Sequence, residues 1–400
     1  MIAPRALLRL ALAGALLAPA TVACSGGGMK TTKNASSKKQ HKSDARALLA
    51  QAREDAKTGE TDSADKAYEE AYELDKQFDV LEEHVDFLIH AGRASRALST
   101  AKAYYDANAA DPKGYKLYAE TLLANNKGTD ALEIADQIVA LDADDPAGHE
   151  KKGRALLLLE KNEEGLEELR KAVSLDGDSA TYHMSLGTAL HKLGKVDEAA
   201  LEFRAALKRA PEEATARVLL GMALRDQGEF DEAKGFLEQA LEIDPRNGRA
   251  YFELGILYNK QNKQADAETA FAKAVKLSPN ESLFWYAYGE IFRVQSRTSD
   301  AIAAYQKAVD LDPPFPKALT KLGTLLVDEK KWEAAEVVLT SAIRREPKNH
   351  ANYFQMAIVM TKQKKRSQAV ENYKRYLDLA PKNDVDRTRA RDAINDLQRR

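Results

Sequence analysis

The sequence predicts an all-α fold, a solenoid of about ten tandem helix pairs closed by a C-terminal capping helix. Three observations carry this expectation. Six prolines, Pro211, Pro245, Pro279, Pro313, Pro347 and Pro381, each follow the last by 34 residues. A fixed period of this length marks one supersecondary unit copied in tandem. Within each period the same small and apolar residues return in the same places. In residues 180–213 they include His183, Leu186, Gly187 and Leu190, spaced i, i+3, i+4, i+7, which is one face of a helix.

In chain order, residues 1–23 read as a targeting segment. Arg5 and Arg9 give a basic start, Leu10 to Leu17 is an apolar run, and small residues follow. Cys24, the only cysteine, comes next after Thr21-Val22-Ala23. This arrangement resembles a bacterial lipoprotein signal, although Thr21 stands where that pattern usually has Leu. The resemblance implies cleavage before Cys24 and lipidation of its thiol. With Ser25 after it, the resemblance further implies the outer membrane, facing the periplasm. The alternative is ordinary secretion after Ala18-Pro19-Ala20, which would leave Cys24 as a lone thiol in an oxidising compartment. No intramolecular disulfide can form. Residues 24–43 are rich in Gly, Ser and Lys and poor in apolar side chains, so a flexible tether is expected. Its lysines are a solvated spacer or a contact to anionic headgroups.

Residues 44–383 hold the array. Units of 34 residues begin at 78, 112, 146, 180, 214, 248, 282, 316 and 350, after a first unit, 45–77, that is one residue shorter. In 180–213, Ala199, Phe203 and Ala206 mark a second helix. Gly194 lies in the turn between helices, and Pro211 ends the second helix because it lacks an N–H. Gly187 and Ala199 are small where the two helices cross. The next unit repeats this with Leu220, Gly221, Leu224, Gly228, Ala233, Leu237, Ala240 and Pro245, and 248–281 with Tyr251, Gly255, Ala267, Phe271 and Pro279. This set resembles the tetratricopeptide repeat. The resemblance covers about 85% of the chain and implies a right-handed superhelix with a concave groove lined by the first helices. Units of such an array are stable through their neighbours rather than alone. After Pro381, residues 384–400 carry Ala390, Ala393, Ile394 and Leu397 on one stripe, as expected of the capping helix.

Composition excludes several function classes. Net charge is −2 with 30% charged residues, so no partner nucleic acid is expected. Charge is nonetheless uneven. Residues 112–179 hold 9 Lys+Arg against 15 Asp+Glu, and residues 361–400 hold 12 against 6. These are solvated faces or, at the basic end, a surface for an acidic partner or membrane. No catalytic constellation is visible, so the protein reads as no enzyme and without a cofactor. His149-Glu150 lacks the second histidine of a metalloprotease motif, and Gly194-Lys195 lacks the spacing of a phosphate loop. His149 and His183 share one repeat position, which suits packing better than metal.

Binding is the remaining class. The tetratricopeptide resemblance assigns positions 2, 5, 9 and 12 of each unit to the concave groove. In units five to eight these include Met184, Val218, Met222, Phe252, Ile256 and Tyr286, with polar neighbours Thr188, His191, Arg225, Asn259, Glu290 and Arg293. The alternative for each bulky group is packing against the next helix pair. The apolar groups are expected to line a protein-binding wall, with Arg225 and Arg293 holding acidic groups. The Lys/Asn pair of a carboxylate clamp is absent from every unit. The expected function is a non-catalytic scaffold anchored by lipid in the cell envelope. It would bind a partner protein or peptide in its groove, for assembly of an envelope, pilus or secretion complex. The alternative is a periplasmic chaperone or carrier for exported substrates.

Overall fold

The computed structural model describes residues 28–311 and 315–399, with side chains from residue 40 onward. The targeting segment and Cys24 lie outside the described residues. Among those described, every regular element is an α-helix. The chain divides after Ala91 into two compact units.

The first unit holds α1 (Gly28–Thr58), α2 (Thr61–Leu74) and α3 (Phe78–His90). A flexible tether to residue 43 is not what the structure shows, because α1 is already helical from Gly28. The stretch has no proline, and its lysines, Ala35 and Gln40 propagate a helix once the packed part beyond Ala45 has formed. Ala52, Ala67 and Tyr68 form a small core. The buried His84 Nε2 lies 2.8 Å from Asp65 Oδ1, and its ring stacks on Tyr68 at 5.4 Å.

The second unit starts with α4 (Ala94–Ala107). Eight helix pairs follow. They are α5 (Pro112–Ala124) with α6 (Gly128–Leu141), α7 (Pro146–Leu158) with α8 (Asn162–Leu175), and α9 (Ala180–Lys192) with α10 (Val196–Arg209). Next come α11 (Ala214–Gln227) with α12 (Phe230–Ile243), and α13 (Gly248–Lys260) with α14 (Gln264–Leu277). The last are α15 (Ser282–Val294) with α16 (Thr298–Asp310), α17 (Pro316–Asp328) with α18 (Trp332–Arg345), and α19 (His350–Lys362) with α20 (Arg366–Leu379). Within this unit each helix packs on the next in sequence. Finally α21 (Arg387–Arg399) sets Ala390, Ala393, Ile394 and Leu397 against the cluster of Phe354, Tyr373 and Tyr376.

Three local devices recur along the array. The first is the crossing within a pair. A Cβ added to Gly187 would come within 2.6 Å of the Phe203 ring, and one on Gly255 within 2.7 Å of Phe271. The facing alanines Ala199, Ala233, Ala267, Ala301 and Ala335 are fully buried. Small residues therefore let the helices close to ring-on-backbone contact.

The second device is the turn between paired helices. Position 15 of a unit (counting Ala180 as position 1) has positive φ at Gly92, Asn126, Glu160, Gly194, Gly228, Asn262, Ser296, Lys330 and Lys364. The next N–H reaches back to the carbonyl of position 11, as from Lys195 to Leu190 at 2.9 Å and from Lys331 to Leu326 at 2.8 Å. This is the Schellman closure, which satisfies carbonyls left open at a helix end.

The third device joins one unit to the loop before it. In five units the side chain at position 4 donates to the carbonyl six residues earlier. Tyr115 reaches Ala109 at 2.9 Å, His149 reaches Ala143 at 3.0 Å, His183 reaches Gly177 at 3.2 Å, Trp285 reaches Pro279 at 2.8 Å and Tyr353 reaches Pro347 at 3.1 Å. Tyrosine, histidine and tryptophan are interchangeable there because each ends a flat apolar body with one donor.

Two stability changes follow from departures within this scheme. Glu160 is exposed and holds φ of 61° without glycine's freedom. Glu160→Gly is expected to stabilise the chain by about 1 kcal/mol, read as a higher urea midpoint at unchanged slope. Asn352 is fully buried, and neither of its amide atoms has a hydrogen-bond partner. The same position holds fully buried alanine at Ala216, Ala250 and Ala318. Asn352→Ala should therefore stabilise by about 1–2 kcal/mol, and a lower midpoint would show that the amide is satisfied after all.

Candidate functional site

The first helices of four successive units, α5, α7, α9 and α11, together line an open cavity of about 400 Å³. Its apolar surface comes from Leu123, Leu157, Leu158, Met184, Ala189 and Leu219. Hydroxyls of Thr181, Ser185, Thr188 and Thr215 and the cations Arg154 and Lys192 complete it. Leu123, Arg154, Leu157, Thr181, Met184, Thr188 and Thr215 occupy unit positions 2, 5, 9 and 12, the stripe assigned to the groove. A volume in this range suits a small ligand or a few side chains of a partner.

A charged network braces one wall. The Glu150 side chain is almost wholly buried and meets Lys151 Nζ at 2.9 Å, Arg154 Nη1 at 3.0 Å and the Ser185 hydroxyl at 2.8 Å. Arg154 also grips both Glu120 oxygens at 2.8 and 2.9 Å, and Lys151 reaches Glu120 at 2.5 Å. Burial pushes the Glu120 carboxyl up, but the Lys151 and Arg154 cations outweigh burial and hold it down at about 2. Burial likewise opposes ionisation of Glu150, and the same cations again keep its pKa below the ordinary carboxylate range. Arg154 is thus fixed in place by two carboxylates.

The residues named from sequence separate sharply. Met184 lines the cavity, as does its polar neighbour Thr188. Val218 and Phe252 are 3% exposed and Met222 is 8% exposed, so they belong to the core and not to an open wall. Phe252 stacks on Phe284 with centroids 4.3 Å apart and meets Phe271 edge-on at 5.7 Å. Phe284 stands at position 3 of the next unit, where neighbouring units carry alanine, and its ring reaches back to cover Phe252. Met222 is approached by Arg249 Nη2 at 3.7 Å from its sulfur. Arg225 is buried, bonded to Glu253 and at 2.9 Å from Asp226, so it is not available to a partner's acidic group. Ile256 and Tyr286 are half-buried, and the Tyr286 ring lies 4.7 Å from Phe315. Arg293 is exposed and held by Glu290 at 3.0 Å.

Sequence reasoning missed Arg154, Leu157, Leu158, Ser185, Lys192 and Leu219. A signal for them exists, since α9 carries the small residues Thr181, Ser185, Thr188 and Ala189 on its groove side. His149 and His183 sit between a carbonyl and a carboxylate, with Nδ1 at 2.5 Å from Glu168 and 2.6 Å from Glu202. Among the described residues no group of three or more His, Cys, Asp or Glu is placed to hold a metal.

Comparisons agree with this architecture. Tetratricopeptide-repeat models match residues 45–78 and, in overlapping copies, 116–180, 150–214, 184–248 and 218–282. The model of the cytochrome c-type biogenesis protein H TPR domain matches residues 278–387. A search of curated proteins returned no match. Among solved structures, the APC/C hetero-tetramer Cut9–Hcn1 is similar at 16% identity and a TM-score of 0.56, over 84% of this chain and 59% of that chain. Human IFIT1, a dimer with m7Gppp-AAAA, is similar at 16% identity and a TM-score of 0.52, over 83% of this chain and 89% of that one. At such identities the likeness is one of fold.

The burial of Phe252 yields a direct test. Phe252→Ala should cost about 3 kcal/mol or more, because it leaves a cavity between Phe271 and Phe284. Chemical denaturation followed by circular dichroism checks this. A loss under about 1 kcal/mol would mean that the ring stands free in the groove.

Proposed function

Because the chain belongs to the tetratricopeptide-repeat family, we propose that it is a non-catalytic scaffold. It docks an extended segment of a partner protein in the groove over α5, α7, α9 and α11. The observation that carries this is the cavity shared by four consecutive first helices, with an apolar base and polar rim. A site built from four units can hold a chain that crosses them, and its rigid first helices keep the contacts in register. Met184 gives the surface an adaptable, polarisable contact.

Cys24, with its basic and apolar leader, supports anchorage by lipid in the cell envelope, at the outer membrane and facing the periplasm. Among the described residues no helix is long and apolar enough to cross a membrane, so anchorage in this reading falls to the N-terminus. A tethered scaffold would gather components of an envelope, pilus or secretion complex. The match of residues 278–387 to a cytochrome c-type biogenesis domain favours a second, narrower reading, in which the last units serve maturation of an exported c-type cytochrome. Haem-stained cytochromes in a strain lacking the protein distinguish the two, since only the second reading predicts their loss.

The first reading has its own test. Cys24→Ser should move the protein from the membrane to the soluble fraction. A photo-crosslinking residue at Thr188, inside the groove, should capture a partner that the same residue at the exposed Val337 on α18 does not. Equal capture from both positions would rule out the groove as the docking site.

A further inference from the structure

The groove over α9 has a chemical bias that narrows its partner. At positions 6 and 9, α9 carries Ser185 and Thr188, whereas α7 carries Lys151 and Arg154 and α11 carries Leu219 and Met222. The missing bulk opens a socket between Leu157 and Leu158 on one side and Leu219 on the other, with Met184 beside it. Such a socket takes a large aliphatic or aromatic side chain. Charge adds a second preference. The lining contains Arg154 and Lys192 and no carboxylate. Arg154 is already held by Glu120 and Glu150. Lys192 is exposed and forms no ion pair among the described residues.

Spacing links the two features. Thr188 and Lys192 are one turn apart on α9, about 6 Å of rise, which an extended chain covers in about two residues. The exposed hydroxyls of Thr181, Thr188 and Thr215 are placed to bond a peptide backbone crossing the socket. We propose that this groove selects an extended peptide with one large apolar side chain and a carboxylate about two residues away, the apolar group in the α9 socket and the carboxylate on Lys192. The inference rests on the scaffold reading and specifies the ligand of that site.

The test uses the full chain in mild detergent and capped decapeptides in a Gly-Ser frame, carrying Leu-Ser-Asp or Asp-Ser-Leu. At least one order should bind with Kd below about 1 mM by fluorescence anisotropy. Replacing its Leu by Ser should weaken binding about tenfold or more. Thr188→Trp, at an exposed position, should fill the socket and weaken binding to a similar degree with helicity unchanged. Lys192→Glu should reverse the charge preference, so that the peptide with Lys in place of Asp becomes the tighter ligand. Absence of binding in both orders, or a charge preference unmoved by Lys192→Glu, overturns the proposal. If crosslinking from Thr188 still captures a cellular partner in that case, only this specificity falls. If crosslinking also fails, the scaffold reading falls with it.

Discussion

The closeness with which paired helices cross constrains everything else in this chain. At Gly187 and Gly255 the partner ring occupies the volume of a side chain. Dense contact there sets the angle and depth of the pair, and interiors this tightly packed do not slide. Once a pair is fixed, the left-handed residue at position 15 has only to close the turn. In five units a donor at position 4 then ties the unit to the loop before it. Each device is short-range, and its repetition at 34-residue intervals builds an array without any single central core.

What was legible in the sequence follows from that locality. The helix pairs, their turns and their ends are encoded within one unit, so prolines, glycines and i, i+3, i+4, i+7 stripes were enough to place them. Burial in the groove is not encoded within one unit. Phe252 and Met184 share position 5, yet Phe252 is covered by Phe284 of the following unit, while Met184 faces Thr215 and Leu219 across an open cavity. Position alone could not separate them. The early start of the N-terminal helix, before residue 44, was missed for a different reason. Residues 28–43 are polar and give no amphipathic stripe to read, and their helix continues from the packed turns beyond Ala45.

Charge shows the same difference between sequence and structure. Residues 112–179 are acidic overall, but Glu120 and Glu150 are locked to Lys151 and Arg154. Arg225 is likewise closed off by Glu253 and Asp226. Removing one member of a buried ion group leaves the others uncompensated, so these groups act as struts of the groove wall. A partner therefore meets a surface whose charge is set by what is left unpaired, and at the α9 cavity that is Lys192.

An array of equivalent units offers a ligand no distinguished place until one unit departs from the pattern. Unit 180–213 keeps the devices that hold the fold, with His183 on its carbonyl, Gly187 at the crossing and Gly194 in the turn. It departs at positions that none of those devices uses, where small hydroxylated residues replace bulk. Loss of volume on the groove side costs little stability, because the pair is held from its other face. The same loss opens the apolar recess over α5 to α11. Stability and recognition thus sit on different faces of α9, which lets the partner-facing residues vary without disturbing the crossing on which the unit depends.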